Sequence, residues 1–189
     1  MTLLAISAYL DSTARQFDPP AIGDSRGTPE SEPHLASQPM RLEIPAIGLS
    51  TRLDRIAMKA DGTIEDPASF DRPSWYGWGP SPGDHGSAVI LGHVDSARAP
   101  AVFFALDTLA PGDTVEVTRA DGTTAEFVVD RTQLVPKTDF PNTAVYGDHG
   151  DSELQLVTCG GEFDSIGRTY LSNFIVYTKF TGWGREQLG

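Results

Sequence analysis

Apolar and polar residues alternate over short stretches of this chain, and glycine or proline interrupts them every few residues. This pattern leaves little room for anything but β-strands joined by turns. The 189 residues include 19 glycines and 14 prolines, and both residue types break helix interiors. In MRLEIPAIGL, residues 40–49, Leu42, Ile44 and Ile47 stand between polar or turn residues, as in a half-buried strand, and Pro45 predicts an edge or a bulge. The run 114–118 alternates, Asp121-Gly122 is a favoured turn dipeptide, and 126–129 returns, which predicts a hairpin. Residues 87–91, SAVIL, are continuous, β-branched and bounded by glycines, so they predict a fully buried strand ending at Gly92-His93. Residues 153–158 predict another alternating strand with Cys159 at its end, and 170–180 predict the last long strand. Two segments read differently. Val102, Phe103, Leu106 and Leu109 have helical spacing and predict a short helix over 101–109, whereas the proline-rich stretch 71–86 reads as a loop whose Trp75, Tyr76 and Trp78 cover one end of the core, with a binding groove as the alternative. Seven or eight strands with regular turns give an all-β class, a closed barrel or a sandwich.

The length suits one domain with a tail. The folded domain is expected over 40–181, with residues 182–189 as a C-terminal tail and 1–39 as an N-terminal segment. Within that segment MTLLAISAYL is apolar but shorter than the roughly 20 residues that span a bilayer. It also has no basic residue before Arg15, so it reads as a short helix or the remnant of a membrane anchor. Residues 18–39 carry Pro19, Pro20, Pro29, Pro33 and Pro39 among small polar residues and predict a linker. The net charge of -12 repels phosphate backbones, which argues against a nucleic-acid partner. A single cysteine excludes an internal disulfide, and four scattered histidines make a poor zinc set. No phosphate loop, EF-hand or zinc-finger spacing is present, and no internal repeat, so neither a cofactor nor a metal is expected.

Cys159 is the first candidate for chemistry. It follows an alternating strand and precedes two glycines, which lets backbone come close to a bound substrate. Four histidines could tune it. His34 lies in the linker, and His85 and His149 lie in glycine-rich loops. His93 alone ends a buried strand, which makes it the favoured base, with His149 the alternative because it is nearer in sequence. Arg168 lies nine residues beyond the cysteine and opens the last strand, where a guanidinium can hold a developing oxyanion. Glu162 and Asp164 read as a solvated loop. Each of the three favoured residues sits at a predicted strand end.

Three runs carry a family resemblance: GSAVILGHVDS at 86–96, LQLVTCGGEFD at 154–164 and RTYLSNFIV at 168–176. Together they resemble the sortases, most closely the class F sortases of actinobacteria, over about residues 40–180. The resemblance implies an eight-stranded β-barrel with a few short helices. It also implies a cysteine transpeptidase that cleaves an LPxTG-like sorting signal between Thr and Gly and passes the acyl group to an amine of the cell-wall precursor. By position Cys159 would be the nucleophile, His93 the acid/base, and Arg168 the group holding the oxyanion or the sorting peptide. Gln155 stands where the TLxTC pattern has its first threonine, while Leu156, Thr158 and Cys159 agree with it. The implied partners are sorting-signal proteins and a peptidoglycan-precursor amine, and the implied location is outside the cytoplasm at the cell envelope. A noncatalytic wall-peptide-binding barrel and a plain cysteine hydrolase are the competing readings.

Overall fold

The computed structural model describes residues 37–97 and 99–184. The expected N-terminal segment, apart from its last three residues, and the final five residues of the expected tail lie outside the described residues, as does His34. Nine strands form one sheet: β1 (Pro39–Ile44), β2 (Leu49–Arg52), β3 (Asp54–Ile56), β4 (Ser74–Tyr76), β5 (Gly86–Leu91), β6 (Thr114–Arg119), β7 (Thr124–Pro136), β8 (Ser152–Asp164) and β9 (Thr169–Gly184). Their order across the sheet is β2-β1-β6-β7-β9-β8-β5-β4-β3.

The two ends of that order are chain neighbours, separated only by Leu53. Leu53 N–H donates to the Met40 carbonyl at 3.0 Å, on the β1 side, and Asp54 N–H donates to the Pro73 carbonyl at 3.0 Å, on the β4 side. Successive amides of an extended strand point to opposite sides. The segment 49–56 therefore belongs to both ends of the sheet and draws it into a nearly closed barrel. Taken as one bent strand, β2 and β3 bring the count to the expected eight.

Burial on both faces explains the continuous apolar run of β5. Ala88 and Ile90 point into the barrel with Leu42, Val117, Phe127, Leu154 and Leu156, while Val89 and Leu91 face outward with Val157, Ile175 and Tyr177. That outer face is roofed by a short helix, α1 (Asn142–Tyr146), through buried Val145, and by Ile56 and Ile64. Each such buried Val, Leu or Ile stabilises the fold by about 1.5–3 kcal/mol.

The β6–β7 hairpin turns at Asp121-Gly122 as the sequence predicts, with Gly122 at φ 83 and the Asp121 carboxylate accepting from Thr123 N–H at 3.0 Å. Pro45 does not sit in an edge strand or a bulge. It opens a 3-10 turn, Pro45–Ile47, directly after β1. Residues 101–109 form turns and one 3-10 helix, Leu106–Thr108, rather than an α-helix. Phe103, Leu106 and Leu109 are all buried, and a spacing of three matches the three residues per turn of a 3-10 helix. The stretch is also shorter than the ~12 residues an isolated α-helix needs. The expected loop 71–86 contains β4, with Trp75 and Tyr76 buried, while Trp78 is 67% exposed. The last strand runs to Gly184, three residues beyond the expected domain end at 181. Among the described residues no helix is long and apolar enough to cross a membrane.

Candidate active site

Strands β5 and β8 pair in parallel, from Gly86 opposite Ser152 to Leu91 opposite Val157. Gly92 N–H continues the ladder by donating to the Val157 carbonyl at 3.1 Å. One more step along each strand brings His93 level with Cys159. Their separation of 66 positions in sequence equals the offset of the strand register, so β-pairing carries the imidazole to the thiol. Both side chains are buried, at 3% and 7% exposure. Gly92 is required at the crossing: a Cβ there would lie 2.5 Å from the Phe103 ring, whose backbone N–H holds the His93 carbonyl at 2.9 Å.

The sequence places Cys159 at the end of a strand, but β8 continues to Asp164. Just past the cysteine the register shifts between Gly160 and Phe163, with Gly161 at φ 75, a conformation that favours glycine. The bulge turns the end of the β8–β9 hairpin across the cysteine. At its tip Arg168 has φ 54, the one non-glycine residue with positive φ among those described, at a cost of about 1 kcal/mol. Arg168 precedes β9 rather than opening it, and it is exposed. Among the described residues no carboxylate pairs with it.

His93, Cys159 and Arg168 line one cleft of about 420 Å³, together with Phe70, Phe163 and Tyr170. A backbone carbonyl can only accept, so the 2.7 Å contact between His93 Nε2 and the Pro67 oxygen fixes the ring proton on Nε2. Nδ1 is then the nitrogen left to take or give a proton. The ring also packs on Phe70, with centroids 4.6 Å apart. Behind it, burial pushes the Asp66 carboxyl above its usual pKa, opposed by Lys59 at 3.6 Å and weakly by His93.

A second link ties the cleft walls together. The Tyr170 hydroxyl donates to Asp95 Oδ2 at 2.5 Å. Asp95 lies two residues beyond His93 and Tyr170 two residues beyond Arg168, so this bond joins the segment carrying the imidazole to the segment carrying the guanidinium. The bond to Asp95, more than burial, pushes the Tyr170 pKa up to about 12, so the donor keeps its proton across the neutral range.

The structure thus gathers Cys159, His93 and Arg168 and leaves His149 out. His149 lines a separate cavity of about 180 Å³ with Glu153 and Lys179, and both its ring nitrogens are occupied, by Glu153 at 2.8 Å and the Thr143 carbonyl at 3.1 Å. His85 is exposed and lies 3.5 Å from Asp148. Pro67, Phe70, Asp95 and Tyr170 escaped the sequence reading, because only the register brings them to the cleft. Among the described residues no cluster of His, Cys, Asp and Glu is arranged to hold a metal ion.

Comparison with known proteins gives the family of the chain. The chain is similar in structure to sortase A from Corynebacterium diphtheriae, with TM-score 0.61 and 20% identity over 80% of this chain and 64% of that one. It is similar to sortase C from Streptococcus pneumoniae, with TM-score 0.57 and 21% identity over 77% of this chain and 67% of that one. It is also similar to sortase C1 from Streptococcus agalactiae, with TM-score 0.58 and 18% identity over 76% of this chain and 67% of that one. No curated protein matches by sequence. The profile of the sortase domain matches residues 42–181, about three quarters of the chain, and the chain therefore belongs to the sortase family.

Proposed function

We propose that this sortase is a cysteine transpeptidase that cleaves an LPxTG-like sorting signal between Thr and Gly and transfers the acyl group to an amine of a cell-wall precursor. The observation that carries the proposal is the parallel β5–β8 register, which sets His93 beside Cys159 at a cleft that Arg168 also lines. In the first half-reaction Cys159 S–H passes its proton to His93 Nδ1, the resulting thiolate attacks the threonine carbonyl carbon, and the carbonyl electrons move onto oxygen. The exposed Arg168 guanidinium is the group to meet that oxyanion. As the tetrahedral centre collapses, the C–N bond breaks and His93 gives its Nδ1 proton to the departing glycine amine, leaving a thioester. In the second, an amine attacks the thioester, His93 takes its proton, and the sulfur leaves as thiolate. The substrates belong outside the cytoplasm, at the cell envelope, with residues 18–39 as the expected linker.

Incubation with an LPxTG peptide, with and without oligoglycine or a diaminopimelate-containing peptide, tests the reading by mass spectrometry. A ligated product is expected from the wild type. Cys159→Ala is expected to lower turnover by about a thousandfold or more with the fold intact. Release of peptide acid without any ligated product would identify a hydrolase, and unchanged peptide binding without cleavage would identify a binding module.

A further inference from the structure

The buried amide of Asn173 is unexplained by packing. Asn173 lies directly opposite Cys159 in the antiparallel β8–β9 pair, and residues so paired share one face with Cβ atoms ~5 Å apart. The neighbouring pair Val157–Ile175 confirms the facing, since both side chains belong to the outer cluster that includes Cys159. On the other side Asn173 pairs with Val135, and Ile175 follows two residues along the same face, so its flank is apolar. The side chain is 0% exposed, and neither Nδ2 nor Oδ1 has a hydrogen-bond partner among the described residues. An unpaired buried amide is a standing cost that a leucine of similar shape would not carry. The polar side chain that the register sets beside it is the thiol.

We propose that Asn173 is a further catalytic residue, whose Nδ2–H donates to Cys159 Sγ when the sulfur is ionised and so stabilises the thiolate. While the thiol is protonated, the same amide can turn about χ2 and present Oδ1 to S–H, so one side chain serves both states. Hydrogen bonding to the charged form favours that form and lowers the thiol pKa. The groups His93, Asp95, Arg168 and Tyr170 line the same cleft, and Asp66 lies behind His93. They stay in place in the test, so only the amide changes. The inference rests on the transpeptidase reading for its purpose, though not for its measurement.

The pH dependence of iodoacetamide alkylation of Cys159, followed by intact mass, reads the thiol directly and needs no peptide. Asn173→Leu keeps the shape and removes the donor, and Asn173→Ala carries the test if the leucine variant does not fold. Either is expected to raise the alkylation midpoint by about one to two pH units, with the high-pH plateau unchanged. Asn173→Asp, which replaces the donor with a carboxylate, is expected to raise it further. A midpoint equal to the wild type in a folded Asn173→Leu or Asn173→Ala protein overturns the proposal. Failure of the wild type to ligate peptides, beside a shifted midpoint in the variants, would sink the transpeptidase reading and leave this one standing.

Discussion

Each end of the β5–β8 pair carries a histidine, and the two are wired in opposite ways. At the far end His149 is partly exposed and has both ring nitrogens bonded. Nearby, Ser152 Oγ donates to the Asp84 carbonyl at 2.8 Å, and the Arg119 guanidinium, 2% exposed, pairs with Asp84 at 2.8 Å and stacks 5.0 Å over Trp183. At the cleft end His93 is buried, held through Nε2 by the Pro67 carbonyl, and shares the cleft with a thiol and with a guanidinium that has no carboxylate partner among the described residues. Bonds that saturate a polar group give structure; a group held at one point and left open at another is available for chemistry.

The sharpest way to break that contrast is to remove each ring in turn. His93→Gln is expected to lower peptide cleavage by about 10²–10⁴-fold, whereas His149→Gln is expected to leave it unchanged in the same assay. Equal losses would erase the distinction between the two ends. Arg168→Ala is expected to cost about 100-fold in cleavage rate. Arg168→Lys should restore only part of it, because an ammonium lacks the planar fork of the guanidinium. A smaller effect is expected from the Asp95–Tyr170 link: Tyr170→Phe should lower kcat about fivefold with little change in KM. A double-mutant cycle with Asp95→Asn should give a coupling of about 1 kcal/mol.

The smallest effect is thermodynamic and concerns the far end. The Glu153 carboxylate holds the His149 pKa above its usual 6.5. A pKa raised on folding favours the folded state while the ring is charged in it. The increment is full below about pH 6.5 and fades as pH rises through the higher folded value. Because the pair is partly solvated it is worth about 0.5 kcal/mol or less. Thermal melts should show the gap between wild type and His149→Gln narrowing from pH 5.5 to pH 8.5.

The strands that matter to the site were legible because their burial is written in local pattern. The glycine-bounded SAVIL run gave β5, the alternation ending in Cys159 gave β8, and His93 stood out as the one histidine closing a buried strand. What could not be read depends on register. Nothing in the local sequence says that Tyr170 bonds Asp95, that Asn173 faces Cys159, or that the Pro67 carbonyl selects the tautomer of His93. The glycines after Cys159 signalled an interruption correctly, yet a bulge and a strand end share that signal, and only pairing with β9 distinguishes them. The short helix expected over 101–109 shrinks to a 3-10 helix at 106–108 among turns, because apolar residues three apart fit a 3-10 turn as well as an α-helix, and so short a stretch cannot sustain the latter.

The parallel union of β5 and β8 also has a bearing on timing. Parallel neighbours cannot be joined by a tight turn, and here the intervening chain includes the β6–β7 hairpin and α1. Non-local encounters of this kind come late in folding. Until that pairing closes, the polypeptide holds a sulfur and an imidazole that have not met, so the chemistry proposed for the cleft waits on the last long-range contact of the barrel.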